Sequence, residues 1–290
     1  MGFKLSPTCL MCHFNRHMKK AKQLGDNETG MAFGKALMQM YADAPENVSS
    51  PWFSPHVAEL FKKYYGLGDD QYAEEKAQAN RFVMDRFDRL QAMVTAAEDP
   101  VLAGLQFAIL GNYLDFAALQ GNVSFEKLEQ MLKEALEMKL DLAVFENLKR
   151  ELAQGKKLLY LTDNAGEIGM DRIFAEAIYK AYPHLEIIFC VRGGNTLNDA
   201  TREDAAVVGI PFKVIDNGNL VSGTELSMLS PEAKAAMDSA DVILSKGMAN
   251  TETLYGCEYN IYYAFLVKCE RFVEEFGKPL LTPMLVKERK

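Results

Sequence analysis

Nowhere in the chain do apolar residues run on for the roughly 20 positions that a membrane-spanning helix needs. The opening segment MGFKLSPTCLMCHFNRHMKK also lacks the apolar stretch of a secretory signal. Positive charge is in deficit: 32 Lys and Arg stand against 40 Asp and Glu, for a net charge of −8. That balance excludes broad attraction to nucleic acid or acidic membranes, because holding a polyanion takes a basic surface excess. Any phosphate that this chain binds must be held locally. The expectation is a cytoplasmic protein with no nucleic-acid partner and no membrane association.

Cysteine is sparse and odd in number, as Cys9, Cys12, Cys190, Cys257 and Cys269, which does not make a disulfide framework. Cys9-Leu-Met-Cys12 followed by His13 spells the c-type haem attachment pattern, but that route belongs to exported proteins. A zinc or redox role stays open beside plain structural thiols; a single CxxC cannot complete a tetrahedral zinc site, although His13 or His17 could add to it. Other signatures are absent too. There is no GxGxxG, no GxxxxGK[ST] and no GxSxG, so dinucleotide-binding, nucleoside triphosphatase and serine hydrolase readings lose their usual support. Cys190 falls inside an expected strand, where a packed thiol is the simpler reading than a nucleophile. No internal repeat and no low-complexity linker is present.

What the chain does contain changes character at its middle. From about residue 13 to 150, Ala, Leu, Met, Lys and Glu abound and apolar residues recur at three- and four-residue spacing, most plainly in segment 125–155. Gly and Pro break this run at Ala44-Pro45, Ser50-Pro51, Ser54-Pro55, Gly66-Leu67-Gly68 and Asp99-Pro100. Residues 1–150 are therefore expected to form a helical N-terminal domain, with Met31, Met38, Met40, Met84, Met93, Met131 and Met138 filling its core. After Gly155, short apolar runs at 157–162, 185–191, 212–215, 241–245 and 261–267 alternate with helical stretches at 168–182, 200–208 and 231–239. Strands apolar along their whole length, alternating with helices, predict an α/β domain over 151–290. Its expected form is three layers around a mostly parallel, Rossmann-like sheet.

Ligands of such sheets bind outside the carboxyl ends of the strands. After the first strand stands Asp163-Asn164-Ala165-Gly166-Glu167, a loop with two oxygen ligands in tandem, or a plain turn. After the second comes Arg192-Gly193-Gly194-Asn195-Thr196-Leu197-Asn198-Asp199, whose Asp199 also fits as the cap of a helix starting at Ala200. After the fourth comes Lys246-Gly247-Met248-Ala249-Asn250. Each has a bland explanation alone, but a parallel sheet gathers all three at one edge. Carboxylate and carbonyl oxygens suit hard divalent ions, and two carboxylates leave such an ion positive toward a phosphate. A neighbouring lysine, with Arg192, would offset charge building on the phosphoryl oxygens. A covalent aspartyl-phosphate on Asp163 is a second possibility, although the residues after it do not form the usual Asp-x-Asp.

The segments LTDNAGEIGMDR, LNDATREDA, SKGMANTETL and GNYLDF, together with Cys9-x-x-Cys12, resemble the damage-control phosphatases, a metal-dependent family catalogued as domain of unknown function 89. The cysteine pair is similar to the archaeal and bacterial form. The resemblance spans nearly the whole chain. It implies a helical part joined to an α/β core, a divalent manganese, magnesium, nickel or cobalt ion, and hydrolysis of phosphate esters of sugars or metabolite by-products. It also implies that Asp163, Asn164 and Asp199 are metal ligands and that Asp163, Asp199 and Lys246 are catalytic. By the same resemblance Lys246, Gly247, Asn250 and Lys268 meet the substrate phosphate, and Glu167, Asn112, Asp115, Arg192 and Asn198 line or support the cleft. The Gly193-Gly194 insertion departs from the family pattern. The rival reading is a non-catalytic phospholigand- or metal-binding module using the same cleft.

Overall fold

The computed structural model describes residues 2–118, 130 and 134–288, with the side chains of 113–118 excepted. The chain opens with α1 (Pro7–Leu24), started by Pro7 and by Ser6, whose hydroxyl accepts from the Cys9 N–H at 3.2 Å. With α2 (Asn27–Ala42) and α3 (Ser54–Tyr65) it encloses a small core of its own around Phe33, Leu37, Phe53 and Phe61. Met40 packs against this core, whereas Met31 and Met38 stand exposed at 60% and 51%. Helical spacing alone did not separate inward from outward methionines, and Met131 lies outside the described residues.

The helices α4 (Ala73–Met84), α5 (Phe87–Thr95), α6 (Pro100–Ala118) and α7 (Leu142–Gln154) follow. Nearly every side chain of α6 from Val101 to Asn112 is buried, as expected of a helix apolar on all sides. The α/β portion then runs β1 (Lys157–Leu161), α8 (Glu167–Ala181), β2 (Glu186–Val191), α9 (Arg202–Val207), β3 (Lys213–Asp216), α10 (Pro231–Ser239), β4 (Val242–Lys246), α11 (Gly247–Leu254), β5 (Ile261–Leu266), α12 (Glu270–Phe276) and β6 (Pro283–Lys287).

The sheet order is β3-β2-β1-β4-β5-β6. Every pairing is parallel except β5 with β6. Five strands thus match the apolar runs in the sequence; β6 is an added edge strand whose first residue, Pro283, sits where the lost N–H is tolerated. Side chains alternate between two cores. Leu158, Tyr160 and Leu244 face one, with α6, α7 and α8, while Leu159, Leu161 and Ile243 face the other, with α10, α11 and α12. Helices therefore cover both faces. Residues of α6 and α7 share the first core with the strands, so these two N-terminal helices lie directly on the sheet.

The N-terminus stitches the far ends of the chain together. Phe3 is buried among Tyr255, Phe272 and Phe276, and its N–H donates to Glu252 O at 2.6 Å. This leash fixes where α1 stands over the sheet edge. No helix among the described residues is long and apolar enough to cross a membrane.

The packing of α6 on α8 leaves no room at Gly104, where an added Cβ would meet Phe174 Cδ2 at 2.9 Å and its Cα at 3.0 Å. The backbone cannot step aside without disturbing the sheet core beneath it. Gly104→Val is therefore expected to destabilise the protein by about 1–3 kcal/mol, the usual cost of overpacking. Urea unfolding measures this, and a variant as stable as the parent would show that α6 is free to shift.

Candidate functional site

β1 and β4 lie side by side, and the helices that follow them cover opposite faces of the sheet. A crevice opens at such a switch point. The loop after β2 is pinned into it: Ala200 N–H donates to Asp163 O at 2.8 Å, Ala165 N–H to Asn198 O at 2.9 Å, and Asn164 pairs with Asp199 in an isolated antiparallel bridge. Asp163, Asn164 and Asp199 are thereby brought to one place by backbone geometry.

Asp199 does not cap the helix after it. That task falls to Thr201, whose N–H donates to Asp204 Oδ2 at 2.8 Å, so α9 starts two residues later than the sequence suggested. Asp199 instead accepts from Arg192 Nε at 2.5 Å and, through Oδ1, from Ser222 Oγ at 3.1 Å. Arg192 is itself buried and reaches Asn250 Oδ1 at 3.1 Å, while Asn250 Nδ2 donates to Thr162 O at 2.9 Å and Lys246 O at 2.8 Å. Arg192 and Asn250 therefore tie three strand ends together from behind.

Two amides order the opposite side. The Nδ2 of Asn112 donates to Asp163 Oδ2 at 2.8 Å and Glu167 Oε2 at 2.9 Å; the Nδ2 of Asn164 donates to the same two oxygens at 2.9 and 3.1 Å. Carboxylates accept and never donate when ionised, so both NH₂ groups must face them and both amide oxygens must face away. Asn112 Oδ1 is consequently buried with no partner.

Lys246 occupies a different position from that of an exposed loop lysine. It ends β4 with no exposed surface, and its ammonium donates to Glu167 Oε1 at 2.6 Å, Asp171 Oδ1 at 2.7 Å and Ala108 O at 2.8 Å. All three donors are spent inside the protein. Burial opposes the charge, but Asp171 and Glu167 hold the Lys246 pKa above the ordinary lysine value. Gly247 follows with φ of +78°, and a Cβ there would fall 2.0 Å from Asp163 Oδ2. Only glycine lets α11 start against that carboxylate.

A cavity of about 440 Å³ opens over this cluster, lined among others by Asn112, Asp163, Asn164, Asn198, Asp199 and Lys268. Glu167, Arg192, Lys246, Gly247 and Asn250 stand behind that lining and fix it, and the side chain of Asp115 lies outside the described residues. The Gly193-Gly194 segment folds onto the loop after β3, with Gly193 N–H donating to Asn217 Oδ1 at 2.8 Å. Ser222 and Tyr160, which donates to Asp171 Oδ1 at 2.8 Å, had no motif to mark them, and Asp171 lay inside the LTDNAGEIGMDR segment without being singled out. Cys9 and Cys12 lie on α1 and Cys190 is packed in β2, its thiol pushed up to about 12 by burial. Among the described residues no three His, Cys, Asp or Glu side chains form a metal cage, which leaves the CxxC without a partner set of that kind.

The family model for the damage-control phosphatase ARMT1-like domain matches residues 5–281. The chain belongs to that family. It is 32% identical over 281 residues to a damage-control phosphatase of Archaeoglobus fulgidus, covering 94% of this chain and 96% of that protein. A damage-control phosphatase of Pyrococcus horikoshii is 32% identical over 220 residues, 74% of each chain. The crystal structure of a DUF89 family protein from Pyrococcus horikoshii superposes with a TM-score of 0.85 at 27% identity, over 99% of this chain and 100% of that one. The family relationship therefore extends through both the helical and the α/β parts.

The donor set of this family member fits a hard divalent cation. The crowding of its carboxylates points the same way. Asp163, Glu167, Asp171 and Asp199 are four buried carboxylates, and Arg192 and Lys246 are the buried cations set among them. Burial pushes the Asp163 carboxyl well above the usual range, and Glu167 and Asp199 add to this against Lys268 and Arg192, a crowding that a bound cation would relieve. The oxygens without protein donors, Asn112 Oδ1 among them, are hard ligands.

Removing the Lys246 charge should therefore cost stability rather than only rate. Lys246→Met leaves Glu167 and Asp171 buried and unpaired, and is expected to lower the unfolding free energy by about 3–5 kcal/mol. A solvated lysine would change it by less than about 0.5 kcal/mol. Denaturant unfolding of the variant separates the two.

Proposed function

We propose that this protein is a metal-dependent phosphatase of small phosphorylated metabolites, with Asp163, Asn164 and Asp199 as the residues that would hold the ion. The observation that carries this reading is the cluster of oxygen ligands Asp163, Asn164 and Asp199 at the sheet switch point, open to a cavity that Lys268 also lines. A divalent ion bound there would draw charge from the phosphate oxygens and acidify a water. Everything else is supplied by the chain.

Asp163, which lines the cavity, is held by the two amides at Oδ2, and among the described residues no side-chain donor is found on its Oδ1. Asp199 is fixed by Arg192 and Ser222, so it keeps one orientation while the substrate comes and goes. Glu167, locked by Lys246, orients both amides and does not itself line the cavity. Lys268 is the cation that meets the phosphate in this reading. Its charge already acts on Asp163, where it works against the upward shift. Lys246 is thus a positioning residue, and the charge stabilisation first attached to it belongs to Lys268. Preorganised groups of this kind need no rearrangement as negative charge develops.

Chelator-stripped protein should turn over p-nitrophenyl phosphate only after manganese, magnesium, nickel or cobalt is restored. Asp199→Asn should lower that rate by at least about a hundredfold, the scale of losing one preorganised electrostatic contact. Replacing Cys9 and Cys12 with serine should leave it intact, since soft thiolates have no place in an oxygen-ligand site. Steady-state kinetics on repurified protein tests all three. Turnover in the stripped protein equal to that of the reconstituted one would defeat the metal assignment, and no turnover with any ion would make the cleft a binding site only.

A further inference from the structure

The wall of the cavity facing away from the sheet is made by α1, which sequence motifs did not connect to the site. His13, Arg16, His17 and Lys20 recur at three- and four-residue spacing, so they share one helix face, and all four line the same cavity as Asp163 and Lys268. Lysine and arginine on a helix are most often solvated and unattached. These are anchored. The Lys20 ammonium donates to Gln71 Oε1 at 2.5 Å and Tyr72 Oη at 3.2 Å, and it lies 5.0 and 4.9 Å from the ring centres of Phe61 and Tyr72. Arg16 Nη2 lies 3.5 Å from His13 Nε2.

Among the described residues no carboxylate comes within 4 Å of either cation, in a protein that carries an excess of acid. Glu59, Asp69 and Glu252 also line the cavity, none of them paired with Arg16 or Lys20, and burial pushes the Glu252 carboxyl up to about 7 against the pull of Arg16 and Arg271. It offers reduced countercharge near neutrality. His17 adds an independent sign: it is only 6% exposed, and its Nε2 is buried with no partner. Burial above all, then Arg16, His13 and Lys20, lower its pKa to about 3, so the imidazole is neutral. Two cations beside a buried imidazole whose Nε2, in its N–H tautomer, has no acceptor suit an anion.

We propose that α1 forms a second anion subsite, and that the substrate is a phosphate ester carrying another negatively charged group that Arg16, Lys20 and His17 receive. This deepens the phosphatase reading and rests on it. The phosphate to be cleaved sits at the Asp163 and Lys268 end, and the second anion, a carboxylate or a second phosphate, sits at the α1 end. A neutral sugar tail would leave Lys20 and Arg16 without an anionic partner, which is the basis for discrimination.

The test compares glucose 6-phosphate, which has no charged group besides its phosphate, with 6-phosphogluconate and fructose 1,6-bisphosphate, using the metal-loaded full chain. The quantity read is the ratio of kcat/KM for each doubly charged ester to that for glucose 6-phosphate. At least one ratio is expected to exceed about tenfold in the parent, and which one it is tells carboxylate from phosphate. In the Arg16→Met, Lys20→Met double variant that ratio should fall to within about threefold of unity; in Arg16→Lys, Lys20→Arg, which keeps both charges, it should persist. Equal handling of all three esters by the parent, or an undiminished ratio in the methionine variant, would overturn the subsite. Should no ester be hydrolysed at all, the phosphatase reading fails separately. Calorimetric affinities for the same three esters then decide the subsite by the same ratios.

Discussion

A buried ammonium holds this structure at its most demanding point. Lys246 is a strand residue with no solvent around it, and its three donors join α6 through Ala108, α8 through Glu167 and Asp171, and β4 through its own backbone. Desolvating such a charge costs several kcal/mol unless every donor is met, and here every donor is met. The consequence reaches the cleft, because Glu167 is the acceptor that turns the amides of Asn112 and Asn164. Those amides in turn fix Asp163. A helix from the first half of the chain is therefore part of the ligand geometry, through Asn112 as well as Ala108.

The same constraint explains why the cleft has two unlike walls. The sheet-edge wall is rigid and acidic, made by strand ends that packing on both faces allows no freedom. The opposite wall belongs to α1, which is held over the site by its own small core and by the Phe3 leash. Chemistry is expected of the first wall and selection of the second. That division lets substrate preference change in α1 without disturbing the ligand set.

Much of the architecture was legible in the sequence because its physical signals are local. Five apolar runs alternating with helical stretches specify a parallel sheet, and the residues just beyond those runs must gather at one edge. Asp163, Asn164 and Asp199 follow from that argument alone. What could not be read was orientation. Lys246 falls one residue past an apolar run, and only the third dimension shows that Glu167 and Asp171 turn toward it from α8. Asp199 resembles a helix cap, and its pairing with Arg192 depends on a loop that doubles back by seven residues. Ser222 has no neighbouring pattern, and β6 is short and follows glycine and proline. His13 and His17 drew notice only beside the cysteine pair, and nothing local marks Arg16 and Lys20 as lining a site built more than a hundred residues away.

The central claim is that the switch-point carboxylates form a divalent-ion site whose shape depends on the absence of a side chain at Gly247. Calorimetric titration of manganese into chelator-stripped protein tests it directly. About one ion per chain should bind to the parent, as expected of a site with few carboxylate ligands. Binding should be lost in Gly247→Ala, where the new methyl group would occupy the place of the Asp163 carboxylate. Unfolding of both proteins in denaturant confirms that the comparison is between folded chains. A parent that takes up no divalent ion, or a folded Gly247→Ala that binds as tightly as the parent, would contradict the account.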